Sequence, residues 1–214
     1  MPNEERIPNE KHHDVAGVIL AGGRSSRFGE NKALAVVKGE TLIERVVRTL
    51  DTLFDSCLIV TNEPHVFSFL GLPAVEDMVK GLGPLGGIHT ALKTIQEPYA
   101  FVVACDMPEL NPRLVRLLVG LRHEYDVVVP RIDGWLEALH AVYSKRCLKA
   151  VESVITSGFR QVIRFFPEVR VRYVDRKEVE EADPALESFF NINTRDDLRR
   201  FLSGGRAHLK GPKS

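Results

Sequence analysis

The stretch VAGVILAGGRSSRFGENK, Val15 through Lys32, decides the fold. Its first six residues, Val15–Leu20, are apolar apart from one glycine, the pattern of a strand buried on both faces of a parallel sheet. A run rich in glycine, serine and arginine follows at once. In open α/β sheets ligands bind at the carboxyl ends of the strands, so this run stands where a ligand is expected. Gly22 and Gly23 let backbone approach a ligand closely, Ser25 and Ser26 add hydroxyls, and Arg24, Arg27 and Lys32 add positive charge. The combination suits a polyphosphate. Five residues separate Gly23 from Gly29, and Lys32 comes three later, so the loop is neither a P-loop nor a GxGxxG dinucleotide fingerprint.

Working outward, apolar runs alternate with amphipathic ones. From Thr41, the residues Leu42, Ile43, Val46, Val47, Leu50, Leu53 and Phe54 recur at helical spacing. Residues 58–61, 74–76, 100–104, 126–130, 139–143 and 169–174 read as strands. Residues 63–70, 84–95 and 145–157 read as helices. Asn111-Pro112 supplies a cap and first residue for a helix to about His123, and Thr194 with Asp197 opens a last helix through a capping-box-like pair. Asp133-Gly134 is a hairpin turn. This rhythm predicts a three-layer α/β/α domain with a mostly parallel sheet and an antiparallel piece near residue 134. A single domain over residues 15–202 is expected, with flexible tails at 1–14 and 203–214.

Composition bounds the function. The chain has 214 residues, with 29 basic and 29 acidic side chains and 44% hydrophobic residues. Neutrality argues against a dedicated nucleic-acid module. No run approaches the length of a membrane span, and the polar N-terminus has no signal-peptide core. Cys57, Cys105 and Cys147 are far apart and odd in number, so neither a disulfide framework nor a zinc ribbon is expected; a reducing cytoplasm follows. The charge is uneven: residues 160–177 are mainly basic and residues 178–197 mainly acidic. That pattern suits small phosphorylated anions held by local charge.

Three further motifs carry chemistry. Gly83-Pro84-Leu85-Gly86-Gly87 enters a helix whose first amides and positive dipole end are free for an anion. Asp106, in FVVACDMP, ends an apolar strand; a carboxylate beside a polyphosphate is a natural Mg²⁺ ligand, although an aspartate there also caps helices. Cys105 reads as a small buried residue rather than a nucleophile, because no activating histidine is identifiable.

LAGGRSSRFGENK (residues 20–32) resembles the opening signature of nucleotidyltransferases and, more narrowly, of molybdenum cofactor guanylyltransferases. The resemblance runs from residue 15 to about 202. It implies a nucleotidyltransferase fold with a dinucleotide-binding-like N-terminal half. It implies that the backbone of Leu20, Ala21, Gly22 and Gly23 lies along the nucleotide, with the amides of 21–23 on phosphate oxygens. Lys32, helped by Arg27, neutralises phosphate, and Asn62, Asp77 and Gly83 line the nucleotide pocket. Asp106 of the Cys105-Asp106-x-Pro108 motif binds the metal, Mg²⁺. FFNINTRDDL (189–198) resembles the family's last motif, placing Asn191 and Asn193 in the cleft on the pterin side. Arg160 and Arg164 are either contacts for the pterin's phosphate or a solvated basic face. Two departures are visible: Arg195 and Ala138 stand where the family usually has proline, and the second leaves the role of Glu137 open.

The implied activity is transfer of GMP from GTP to the terminal phosphate of molybdopterin, with loss of pyrophosphate. Catalysis would fall to Lys32, Arg27 and Asp106. Partners would be the two substrates, with transient contact to cofactor-biosynthesis proteins or apo-molybdoenzymes; a cytoplasmic monomer is expected. Gly23, where related cytidylyltransferases carry alanine, favours guanine. Alternatives are a molybdopterin cytidylyltransferase, a sugar-phosphate nucleotidyltransferase, and a non-catalytic nucleotide or molybdopterin carrier.

Overall fold

The computed structural model describes residues 10–22 and 31–203. In chain order the elements are β1 (Val15–Leu20), β2 (Val36–Val37), β3 (Glu40–Thr41), α1 (Leu42–Asp51), β4 (Cys57–Thr61), β5 (Ala74–Glu76), α2 (Pro84–Thr94), β6 (Tyr99–Ala104), α3 (Pro112–Gly120), β7 (Val127–Ile132), β8 (Trp135–Leu136), β9 (His140–Ser144), α4 (Leu148–Thr156), β10 (Val171–Asp175), α5 (Arg176–Ala182) and α6 (Arg195–Leu202). Short 3₁₀ turns connect several of them.

The main sheet runs β10-β7-β9-β6-β1-β4-β5, with β8 paired to β7. β1 lies parallel to both β4 and β6, in the middle of the sheet. β5 and β10 also join in parallel. Only β9, against β6 and β7, and the short β8 run the other way. The expected mostly parallel sheet with an antiparallel piece is what the chain forms.

All six residues of β1 are buried, and they alternate between two cores. Val15 and Ile19 face a layer built by α1, α3 and α5. Ala16, Val18 and Leu20 face α2 and α4. Gly17 falls on the first face, where a Cβ would come within 2.9 Å of the Phe54 ring; its absence lets the end of α1 sit down on the strand. α1 begins where the sequence places it, with a full capping box between Thr41 and Glu44. Asn111 caps α3, and Thr194 with Asp197 caps α6. Asp133 and Gly134 both have positive φ, as a type I′ hairpin turn requires.

Several boundaries differ from expectation. The α3 helix ends at Gly120, short of His123, and a 3₁₀ turn (Arg122–Glu124) takes over. Residues 63–70 are 3₁₀ rather than α. The β2–β3 hairpin and α5 were not expected at all. Residues 10–14, expected as tail, are docked. His12 donates its amide to Leu53 O at 2.8 Å, and Asp14 receives Arg122 Nη2 at 2.9 Å. Among the described residues, no helix is long and apolar enough to cross a membrane.

Candidate active site

The site forms at the carboxyl ends of β1 and β6, where the two central parallel strands release the chain. β1 hands over to Ala21 and Gly22; β6 hands over to Cys105 and Asp106. The two exits are tied together, Cys105 N donating to Leu20 O at 3.2 Å. Asp106 is 6% exposed, held by its own backbone: its carbonyl accepts from Ile192 N at 2.9 Å. That bond brings the segment carrying Asn191 and Asn193 onto the same spot. The segment is fixed from behind, because Asp183 accepts from Ser188 N at 2.9 Å and the Ser188 hydroxyl accepts from Asn111 N at 2.9 Å.

Lys32 closes the group. It opens a 3₁₀ turn (Lys32–Leu34) whose cap is the Asn31 side chain, accepting from Ala33 N at 3.2 Å. The ammonium pairs with Asp106 Oδ2 and donates to Asn193 Oδ1 at 3.1 Å. Three residues that lie 74 and 161 positions from Lys32 in sequence thus converge on one cation. The other carboxylate oxygen, Asp106 Oδ1, is buried without a hydrogen-bond partner among the described residues.

Cys105 is buried, and burial pushes its thiol up to about 12, with the Asp106 charge adding to the effect. It stays protonated and is no nucleophile. Cys57 and Cys147 are likewise pushed up to about 12 by burial, and all three cysteines are free thiols.

A family model described as the MobA-like NTP transferase domain matches residues 17–174. The chain belongs to the MobA-like NTP transferase family. The "probable molybdenum cofactor guanylyltransferase" of Pelotomaculum thermopropionicum is 43% identical over 86% of this chain and 90% of its own. The molybdenum cofactor guanylyltransferase of Desulfosudis oleivorans is 40% identical over 87% and 93%. The crystal structure of molybdopterin-guanine dinucleotide biosynthesis protein A from Archaeoglobus fulgidus superposes with a TM-score of 0.77 at 29% identity, over 88% of this chain and 97% of that one. The expected nucleotidyltransferase fold is therefore shown, and the protein is a nucleotidyltransferase; the non-catalytic carrier reading falls away.

The other expected residues of this MobA-like transferase lie around the same edge of the sheet. Asn62 is exposed just past the end of β4. Asp77 follows β5 and is engaged locally, accepting from the Thr90 hydroxyl at 3.0 Å and Val79 N at 3.2 Å. The GPLGG glycines explain themselves here. Gly83 takes a positive φ as the cap of α2, and a Cβ on Gly86 would lie 2.9 Å from both Asp77 Oδ2 and Val79 O. One expectation fails. The amide of Ala21 is already spent on Val60 O at 2.9 Å, extending the β1–β4 ladder, so it is not free for a phosphate oxygen. Gly23 and Arg27 lie outside the described residues, as do Arg24, Ser25 and Ser26.

The donor set fits a hard divalent cation. Asp106 Oδ1 is an oxygen acceptor with nothing to accept from, and Mg²⁺-type sites commonly use one or two carboxylates with substrate phosphates supplying the rest. Among the described residues no cluster of three or more metal-ligating side chains occurs, so a protein-only cage for the ion is not present there. Sequence reasoning missed the contact of Asn193 with Lys32, for which spacing gives no signal.

Proposed function

We propose that this nucleotidyltransferase moves GMP from GTP onto the terminal phosphate of molybdopterin, releasing pyrophosphate. The observation that carries the reading is the convergence of Lys32, Asp106 and Asn193 at the ends of β1 and β6, with one Asp106 oxygen buried and unpartnered. The names of the relatives supply the base and the acceptor.

In this reading an oxygen of the acceptor phosphate attacks the α-phosphorus of GTP, and the bond to the β-phosphate breaks. The attacking phosphate is already ionised at neutral pH, so no general base is needed. Catalysis comes from alignment and charge neutralisation. Lys32 is the ammonium that meets the departing pyrophosphate; Asn193 and Asp106 hold it at the strand ends, and Arg27 adds charge. The first-turn amides of α2, entered through Gly83, offer donors to the nucleotide's phosphates, with Asn62 and Asp77 beside them. Leu20, Ala21, Gly22 and Gly23 give the nucleotide backbone to lie against. Asp106 would hold Mg²⁺, whose chemistry when bound is to offset phosphate charge and orient the reacting groups. Asn191, Arg160 and Arg164 belong to the acceptor side. We also propose a cytoplasmic monomer that passes its product to apo-molybdoenzymes.

The test is pyrophosphate release across GTP, CTP and UTP, with molybdopterin or sugar phosphates as acceptor. Turnover confined to GTP with molybdopterin is expected. Turnover with CTP and molybdopterin, or with a sugar phosphate, reassigns the base or the acceptor.

A further inference from the structure

One polar side chain near the site has no role in the reaction just described. Glu137 follows β8, and it is held by its backbone on both sides. Its amide donates to Pro130 O at 3.0 Å, and its carbonyl accepts from His140 N at 2.9 Å. Its position relative to Asp106 follows from strand register. β6 and β9 pair antiparallel up to Val103 with His140, and the ladder's next bond joins Ala104 N to Leu139 O at 3.2 Å. Continuing the same register brings Glu137 level with Asp106, on the neighbouring strand and away from β1, β4 and β5. Glu137 therefore stands on the opposite flank of Asp106 from Asn62, Asp77 and Gly83.

The carboxylate is partly buried, yet among the described residues it makes neither a hydrogen bond nor an ion pair. Burial alone pushes its proton affinity up to about 7, with no charged neighbour contributing. A partly buried carboxylate without donors is costly, so this one is built for donors that arrive with a ligand. A phosphate is excluded by charge repulsion. The same hairpin face supplies a second feature. Trp135, two residues earlier and thus on the same side of the strand, is 49% exposed and is the chain's single tryptophan. An exposed indole above a donor-hungry carboxylate suits a flat, neutral heterocycle bearing adjacent N–H groups.

We propose that Glu137 anchors the acceptor's ring, accepting hydrogen bonds from the adjacent N–H and NH₂ donors of an aminopyrimidinone edge, with Trp135 offering a face for stacking. This rests on the proposed transfer to molybdopterin, whose pterin carries that edge. Guanine carries it too, so the experiment separates the two sources. Glu137 acts as a specificity-determining residue for the acceptor; Asp106 and Lys32 serve the phosphates.

The test compares Glu137→Gln and Glu137→Ala with the wild type in steady-state guanylyl transfer to molybdopterin, alongside calorimetric GTP binding and thermal unfolding. The expected result is a KM for molybdopterin raised about tenfold or more, because a site built to accept hydrogen bonds loses them. kcat at saturating acceptor, GTP affinity, the preference for GTP over ITP, and Tm should hold. An unchanged acceptor KM overturns the proposal. So does weakened GTP binding or lost discrimination against ITP, which would put Glu137 on the guanine or on an arginine of the nucleotide loop. A fall in Tm with a parallel fall in kcat would make its role structural. A wild type inactive with molybdopterin brings down the reaction assignment, and this inference with it; an active wild type beside indifferent variants brings down this inference alone.

Discussion

A single cation holds three distant parts of the chain in register at the site. Lys32 reaches Asp106 and Asn193 at once, so its removal takes away a phosphate ligand and also leaves a buried carboxylate unpaired. Lys32→Ala should lower turnover by one or more orders of magnitude, about 1.4 kcal/mol or more of transition-state stabilisation, read by pyrophosphate release at saturating GTP. Asp106→Ala should abolish guanylyl transfer while far-UV circular dichroism and cooperative unfolding persist. Near-normal turnover in that variant with Mg²⁺ and GTP would remove Asp106 from the metal site. Cys105, next in sequence, should behave oppositely. Its buried, protonated thiol predicts that Cys105→Ala keeps most of its activity and that native protein resists thiol alkylation at neutral pH.

Among the elements, the helix entered by GPLGG is the most constrained. Gly86 sits against the Asp77 carboxylate and the Val79 carbonyl, and backbone cannot move aside as a flexible side chain can. Gly86→Ala should cost about 1–3 kcal/mol of stability in a urea titration, and should weaken GTP binding as Asp77 is displaced. This element was legible in the sequence because glycine and proline report backbone needs directly. β1, β6 and α1 were legible for a related reason: burial on two faces writes a continuous apolar run, and an amphipathic helix writes a 3.6-residue period. The α5 helix was not legible. RKEVEEA contains one buried apolar side chain, Val179, and its helix is set by a capping box between Asp175 and Glu178 and by packing against α3 and β10. The β2–β3 hairpin was missed because its turn uses Lys38 at positive φ, where glycine or asparagine is the usual signal. At the site, motifs announced Lys32 and Asp106 individually. Their junction with Asn193, and the level position of Glu137, depend on sheet order, which no local pattern encodes.

At the scale of the whole molecule, two buried titratable groups set an acid response. His140 is fully buried between Phe101 and Phe189, with both ring nitrogens unpartnered among the described residues. Burial pulls its pKa down to about 4, against a raising effect of Asp183. The unfolded chain therefore takes up this proton first, and His140 costs stability progressively as pH falls from about 6.5 to 4, reaching about 3 kcal/mol. Glu137, pushed up to about 7, acts in the opposite sense. The folded protein holds its proton down to the ordinary carboxylate range, so stability rises as pH falls through 7 and that gain is lost as pH rises again. The two partly cancel, and the informative measurement is a difference. His140→Leu should be less sensitive than wild type to acidification between pH 6.5 and 4.5 in chemical denaturation, and Glu137→Gln more sensitive.

The reversed strand β9 has a consequence for how the protein is made. β7 is synthesised before β9, yet β9 lies between β7 and β6 in the sheet. A nascent chain that has emerged only as far as β7 therefore carries a parallel half-sheet whose β6 edge is open, and a strand with no neighbour to join. Open edges of this kind recruit other chains. Translation must pass Ser144 before the sheet can be sealed, so a ribosome stalled or a message cut between residues 132 and 140 should yield a product that self-associates, whereas one extending through β9 should not.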